Sequence, residues 1–133
     1  MQLKLTATKI FTFDAAHYLP NHPGLCKNLH GHRWTLEVTI KRPKEAEITD
    51  NTPPDMIMDF GKLKQIVKSN IIDVFDHTCI NDNPEWPNGL RPTAENMIEV
   101  IAEELSHRGL DEWLTELKLW ETPTSYVTWT KGE

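Results

Sequence analysis

Four of the six histidines of this chain fall within residues 17–34, together with one of its two cysteines, in the segment HYLPNHPGLCKNLHGHRW. The segment contains no carboxylate. Histidine is the commonest metal ligand among side chains, and a catalytic zinc site usually has three protein ligands and one open position. His17, His30 and His32 supply that number. The segment therefore predicts a metal site.

Two other histidines are interpreted as lying outside this site. His22 stands between Asn21 and Pro23 and is expected to be an exposed loop residue. His107 falls near the C-terminus of a predicted helix, where a cation is favourable. Neither is needed to complete a catalytic metal site.

Cys26 lies four residues before His30 and has two possible roles. As a fourth, thiolate ligand it would close the coordination shell and make the metal structural. Beside the metal it would instead act as a base or nucleophile. A divalent cation and the neighbouring Lys27 would both favour the thiolate at neutral pH, and the spacing does not decide between the roles.

The segment FDHTCIND places Asp76 next to His77. A carboxylate that orients an imidazole is a common arrangement for proton transfer. An Asp-His pair at a helix end is, however, more often explained by capping and solvation. By the same reasoning from pattern alone, Thr93 is a helix cap and Glu121 an exposed strand residue, while Cys79 is a small buried thiol.

Length and charge limit the classes of function. The 133 residues fit a single domain, 1–133, and the net charge of −6 argues against general nucleic-acid binding. Locally the sign reverses, because Lys27 and Arg33 are the only formal charges in residues 17–34. This segment is therefore suited to an anionic small molecule.

The amino-terminal residues MQLKLTATKI alternate polar and apolar types and do not resemble a secretory signal. No apolar run has the length of a membrane span. Two cysteines without a disulfide-type spacing fit a reducing compartment. The sequence therefore predicts a cytoplasmic protein.

The elements that must position these side chains begin with two strands, predicted over residues 3–13 and 32–42. In the second, Trp34, Leu36, Val38 and Ile40 share one face, which is expected to be half-buried. His30 and His32 continue this even-numbered series. They are therefore expected to project from the start of the strand on the core side, where both can reach one ion.

Two helices and two further strands follow. The first helix is expected to be capped by Asp59 and to end near residues 73–77, and the second to start at Thr93. Residues 116–122 and 125–131 are predicted strands. The order β-β-α-α-β-β predicts an α+β fold, a four-stranded antiparallel sheet with two helices on one face. We expect the other face to be apolar enough to need a second subunit.

Six motifs in order show a family resemblance over roughly residues 10 to 130. They are FTFDAAHYLP, LCKNLHGHRW, MIMDFGKLK, FDHTCIND, RPTAENMIEVI and LWETPTSYVTW. The sequence resembles the 6-pyruvoyltetrahydropterin synthase and 6-carboxytetrahydropterin synthase family. Each motif alone is modest, and the combination is specific.

The resemblance implies a role for each candidate residue. It implies that His17, His30 and His32 hold Zn²⁺ and that Cys26 is the proton-abstracting base. Asp76 and His77 would form the opposing acid/base pair, Glu121 would anchor the pterin ring, and Thr93 would line the same pocket. A carboxylate suits the ring because it accepts two hydrogen bonds from neighbouring N–H groups.

The resemblance also implies the tunnelling fold, in which a four-stranded sheet backed by two helices trimerises into a barrel, often pairing into a homohexamer. Active sites would then lie between subunits. The implied partner is a small molecule, 7,8-dihydroneopterin triphosphate, and no nucleic acid or membrane is expected. No redox cofactor is required, because the ring is reduced at the expense of its own side chain.

Family subtypes differ in the fate of that side chain. Three residues separate Cys26 from His30, the short spacing of the bacterial carboxy-forming type. This type is a zinc-dependent lyase that releases acetaldehyde and triphosphate on the route to 7-deazaguanines such as queuosine. The pyruvoyl-forming type, or a catalytically silent zinc-stabilised pterin-binding module, is the alternative.

Overall fold

The computed structural model describes residues 4–132 and contains a five-stranded sheet. Its strands are β1 (Ala7–His17), β2 (His30–Ile40), β3 (Thr78–Cys79), β4 (Leu114–Thr122) and β5 (Ser125–Thr130). Their order is β3-β1-β2-β4-β5, and neighbours are antiparallel except β3, which runs parallel to β1. The α+β class is confirmed. The prediction of a four-stranded antiparallel sheet is wrong, because a fifth, parallel strand is present.

The additional strand β3 is short and pairs with the end of β1. Thr78 and Cys79 lie opposite Ala15 and Ala16. Two residues are too few to produce an alternating pattern, so the sequence carries no signal for this strand. Cys79 is half-buried here, and the expectation that it is a buried thiol is wrong.

The first strand lies further along the chain than its sequence pattern indicates. The prediction began at Leu3, which lies outside the described residues, whereas β1 continues to His17 because it pairs with β2 over its whole length, from Ala7 opposite Ile40 to His17 opposite His30. His30 therefore begins β2. The prediction that His30 and His32 project from the start of this strand is confirmed.

Two helical regions cover one face of the sheet. The first consists of α1 (Phe60–Val67), a π-helical turn (Lys68–Ile72) and α2 (Asp73–Phe75), and the second of α3 (Ala94–Leu105) and a π-helical turn (Ser106–Leu110). Asp59 caps α1 and Thr93 caps α3, as the sequence predicts. No helix within residues 4–132 has the length and apolar character needed to cross a membrane.

The core lies between these helices and the sheet. Trp34, Leu36, Val38 and Ile40 of β2 are completely buried in it, which confirms their predicted face. The opposite face is not apolar, and this expectation is wrong. Its residues on β1 and β2 are largely polar and only partly covered: Thr8, Ile10, Thr12, Asp14, Arg33, Thr35, Glu37 and Thr39.

Candidate metal centre and active site

Three imidazole rings meet where β1 ends and β2 begins. His17 lies opposite His30 in the strand register, and His32 follows two residues later on the same face of β2. The ring centroids of His17 and His30 are 4.6 Å apart, those of His17 and His32 5.3 Å, and those of His30 and His32 4.9 Å. The structure thus brings together the three histidines that the sequence predicts as a metal site.

Main-chain carbonyls fix the orientation of two of these rings. His17 Nδ1 lies 2.8 Å from the Pro92 carbonyl oxygen, and His30 Nδ1 lies 2.7 Å from that of Asn28. Because a carbonyl oxygen only accepts, each Nδ1 donates, and in the neutral tautomer Nε2 carries the lone pair that a metal needs. Metal-binding histidines usually donate their other ring N–H in this way.

Two ring nitrogens that face the cluster lack protein hydrogen bonds. Within residues 4–132, His17 Nε2 and His32 Nε2 are both buried without a hydrogen-bond partner. Burial is the main cause that lowers the pKa of His17 and of His32. Both imidazoles therefore favour the neutral form, which is the form that binds metal. Buried, unpaired, neutral nitrogen donors around a common point fit a metal ion such as zinc.

Glu121 of β4 reaches the same cluster. Its Oε1 atom lies 3.1 Å from His32 Nε2 and 3.8 Å from His17 Nε2. One ligand atom from each of the three histidines and from Glu121 lies within 4.8 Å of all the others. The pattern-based interpretation of Glu121 as an exposed strand residue is therefore wrong, because its carboxylate faces the histidines.

A β-bulge in β4 accompanies this position of Glu121. Trp120 pairs with Tyr126 and Thr122 with Ser125, so Glu121 is an extra residue relative to β5. Bulges re-aim side chains and are frequent beside active sites. No sequence signal marked the bulge. The one available signal for Glu121 was that it continues the series Leu117, Leu119, which faces the core side of the strand.

Cys26 lies outside the four-residue cluster. It occupies a 3-10 turn, Leu25–Lys27, and its side chain is half-buried. Its carbonyl accepts a hydrogen bond of 2.8 Å from the Leu19 N–H, which ties the turn to the chain that follows β1. Among the described residues, Cys26 does not join the histidines as a metal-ligand group. The alternative of a fourth, thiolate ligand therefore gains no support.

Asp76 orients His77 directly after the first helical region, which ends at Phe75. Asp76 Oδ2 lies 2.9 Å from His77 Nδ1, and Asp76 Oδ1 accepts a 2.9 Å hydrogen bond from the Asp14 N–H. The Asp14 hydrogen bond, followed by that of His77, lowers the pKa of Asp76. An ionised carboxylate thus orients an exposed imidazole, and the role of this pair in proton transfer stays a prediction.

Asp14 is a site residue that sequence reasoning missed. Its carbonyl accepts a 2.6 Å hydrogen bond from the His77 N–H, and its carboxylate binds Arg33 through bonds of 3.1 and 3.3 Å. Asp14 and Arg33 are opposite each other in the register of β1 and β2. The available signal was a carboxylate in FTFDAAH that the hairpin register places opposite an arginine.

Two open cavities adjoin these groups. One, of about 610 Å³, is lined by His32, Glu121 and the neighbouring polar face of the sheet. The other, of about 450 Å³, is lined by His77 and Asp14 among others. Gly31, His32 and Arg33 line both. The imidazole of His77 and the histidine cluster therefore open onto one continuous surface.

Thr93 connects α3 to the cluster indirectly. Its Oγ1 accepts a 3.1 Å hydrogen bond from the Asn96 N–H, as a helix cap does. The preceding residue, Pro92, supplies the carbonyl that orients His17. The observed role of Thr93 is a cap, and a role in lining a ligand pocket stays a prediction.

Fold and site together define an α+β protein with a histidine-carboxylate cluster suited to metal and a hydrogen-bonded Asp76–His77 pair nearby. The 6-pyruvoyl tetrahydropterin synthase family model matches residues 6–132. The chain is 36% identical to 6-carboxy-5,6,7,8-tetrahydropterin synthase of Haemophilus influenzae, with 90% of this chain and 94% of that protein covered. The chain belongs to the 6-pyruvoyl tetrahydropterin synthase family.

Two further relatives show the breadth of this family. The 6-pyruvoyl tetrahydrobiopterin synthase of Dictyostelium discoideum is 36% identical, over 83% of this chain and 76% of that protein. The structure of Caenorhabditis elegans 6-pyruvoyl tetrahydropterin synthase superimposes with a TM-score of 0.77 at 24% identity, covering 96% of each chain. That second likeness shows a shared fold.

Proposed function

We propose that this protein is a zinc-dependent 6-carboxy-5,6,7,8-tetrahydropterin synthase, with residues 1–133 forming one domain. It would convert 7,8-dihydroneopterin triphosphate into the carboxylated pterin, releasing acetaldehyde and triphosphate, as a step toward 7-deazaguanines. The observation that carries the proposal is the cluster of His17, His30 and His32, in which the buried Nε2 atoms of His17 and His32 have no hydrogen-bond partner within residues 4–132. The short spacing from Cys26 to His30 and the Haemophilus relative favour the carboxy-forming reaction.

His17, His30 and His32 would hold the zinc ion. Bound zinc supplies a Lewis acid that polarises the side-chain hydroxyl oxygens and acidifies the adjoining C–H bonds. The protein's own contribution is to favour the neutral form of His17 and His32 through burial. The carbonyls of Pro92 and Asn28 orient the rings of His17 and His30. These constraints exist before substrate binds, so no reorganisation is needed at the moment of reaction.

Proton transfer is assigned to Cys26 and to the Asp76–His77 pair. Cys26 would abstract a proton from the substrate side chain, and His77 would exchange a proton on the opposing side. Asp76 is kept ionised by the Asp14 N–H and stabilises the protonated imidazole. His77 is well exposed, with 78% of its side-chain surface accessible, and so is free to reach a ligand or a neighbouring subunit.

The active protein is proposed to be a trimer or hexamer with sites between subunits. Two features support this. Within residues 4–132, β5 pairs only with β4 and leaves one edge without a partner. Leu25, next to Cys26 in the turn, and Leu29, two residues after the turn, are 84% and 65% exposed. A subunit that covers these leucines would also exclude water from the site.

Product analysis tests the proposed reaction. Zinc-loaded protein is incubated with 7,8-dihydroneopterin triphosphate, acetaldehyde is trapped as a hydrazone, and the pterin is identified by mass spectrometry. We expect acetaldehyde, triphosphate and carboxylated tetrahydropterin in equal amounts. A pterin that keeps all three side-chain carbons would favour the pyruvoyl-forming alternative, to which the Dictyostelium relative is assigned by name. No consumption of substrate would favour a silent pterin-binding module.

Glu121→Ala is expected to weaken pterin binding while zinc is retained. The three histidines remain, whereas the ring loses a charged acceptor, which commonly costs about 2 to 4 kcal/mol. The affinity for neopterin is measured by calorimetry and the zinc content by atomic absorption. Glu116→Ala, on the same strand, is the matched control. Loss of zinc from Glu121→Ala would make this carboxylate a metal ligand, and unchanged affinity would contradict its assignment to the ring.

A further inference from the structure

We propose that Trp120 forms an aromatic wall of the ligand cavity, against which the flat ring system of the pterin lies, and that Glu37 is the residue that positions it. The inference rests on the proposed function, since it names a further contact for the same substrate. Trp120 is next to Glu121 in sequence, and both line the cavity of about 610 Å³ beside His32.

The β-bulge explains how two adjacent residues of one strand line the same cavity. In a regular strand, neighbouring side chains point to opposite faces of the sheet. The register shift between Trp120 and Thr122 interrupts this alternation at Glu121. A carboxylate that can bind the edge of a ring and an indole that can cover its face are thereby placed side by side.

The indole is held from two sides. Its Nε1–H donates a 2.5 Å hydrogen bond to Glu37 Oε2, across the sheet from β2. On the side of β5, the ring of Tyr126 lies with its centroid 4.2 Å from that of Trp120, at an interplanar angle of 33°. A tryptophan fixed in this way offers its remaining surface to a ligand at little cost in side-chain entropy.

Glu37 is used for this hydrogen bond rather than for an ion pair. Lys118 is directly opposite Glu37 in the register of β2 and β4, yet its Nζ atom lies over the Tyr126 ring, 5.3 Å from the centroid. Within residues 4–132, no ion pair includes Glu37. Its carboxylate, which also lines the cavity, is therefore available to orient the indole.

A flat, nitrogen-rich heterocycle matches this arrangement. Stacking on an aromatic side chain requires only a π-face, whereas the polar edge of such a ring needs a charged acceptor. Trp120 supplies the aromatic side chain for stacking, and Glu121 supplies the charged acceptor for the polar edge. The reaction changes C–H bonds of the side chain and of the ring, whereas the indole would contact only the π-face of the ring, so stacking should bind the ground state and the transition state nearly equally. Loss of the wall should therefore raise KM and leave kcat nearly unchanged.

The test compares Trp120→Leu, which removes the aromatic face, with Trp120→Phe, which keeps one. We expect Trp120→Leu to weaken neopterin binding by about 10-fold or more and to raise KM for the triphosphate substrate by a similar factor. Trp120→Phe should recover most of both. Thermal unfolding and zinc content are measured on each preparation, so that a folding defect is recognised directly.

Variants of Glu37 test its positioning role. Glu37→Gln keeps an oxygen that can accept the indole N–H and should behave nearly as the unaltered protein, whereas Glu37→Leu should raise KM with kcat retained. Equal KM values for Trp120→Leu and Trp120→Phe, or a loss of kcat with no change in KM, would overturn the inference. If the unaltered protein binds no pterin at all, the proposed function itself fails, which is a distinguishable outcome.

Discussion

Replacing His32 with alanine is expected to remove most of the bound zinc and nearly all turnover. His32 contributes one of the buried Nε2 atoms that have no hydrogen-bond partner in the described part of the chain, and two imidazoles remain when it is lost. Even changes in groups that only orient a metal ligand weaken metal affinity by about 10- to 100-fold, so loss of a ligand itself should exceed that range. Zinc per chain is measured by atomic absorption after dialysis against a weak chelator.

His32 is a better residue for this experiment than His17. His17 is completely buried and its ring lies 5.2 Å from that of Trp34, so its removal would also leave a cavity beside the core. His32 is only half-buried, and its loss should leave the temperature of unfolding of the metal-free protein almost unchanged. His107→Ala is the matched control, because that histidine is exposed at the far end of the second helical region. Full zinc content in His32→Ala would contradict the assignment of this cluster.

The parts of the site that were predictable from sequence depend on short-range geometry. His30 and His32 are separated by one residue at the start of a strongly alternating strand, so their common face follows from the strand period. The caps Asp59 and Thr93 are likewise set by residues within one helical turn. Such features need no knowledge of which distant segments pair.

The parts that were missed depend on pairing between distant segments. Asp14 contacts Asp76, His77 and Arg33 only because β1 lies between β2 and the end of the first helical region. The bulge at Glu121 is a property of the register between β4 and β5, and composition does not reveal it. The two-residue strand β3 exists because the chain after His77 passes alongside β1.

The expectation of an apolar free face failed for a related reason. The sequence itself shows that the odd-numbered residues of β2 from 33 to 39 are polar: they are Arg33, Thr35, Glu37 and Thr39. The helices cover the even-numbered residues from Trp34 to Ile40 completely, so most apolar residues of β2 are buried in one core. Oligomer formation is therefore better supported by the unpaired edge of β5 and the exposed leucines beside Cys26 than by the sheet face.

Cys26→Ala is expected to keep the fold and the zinc while turnover falls by a factor of roughly 10² to 10⁴, the usual contribution of a positioned proton-transfer group. The turn that contains Cys26 is held by its main-chain carbonyl, which accepts from the Leu19 N–H and is unaffected by the substitution. The cluster of three histidines and Glu121 is complete without the thiol. Triphosphate release, zinc content and thermal unfolding are measured on one preparation.

Cys79→Ala provides the matched control, because Cys79 is the other half-buried free cysteine and takes no part in the proposed reaction. It should retain activity, which would show that loss of a thiol in itself is harmless. If Cys26 were instead a zinc ligand, Cys26→Ala would lose zinc and unfold at lower temperature together, since a structural metal site contributes directly to folding. Substantial turnover by Cys26→Ala with zinc intact would refute its assignment as the base, and the proton would then have to be taken by His77 or by a group from a neighbouring subunit.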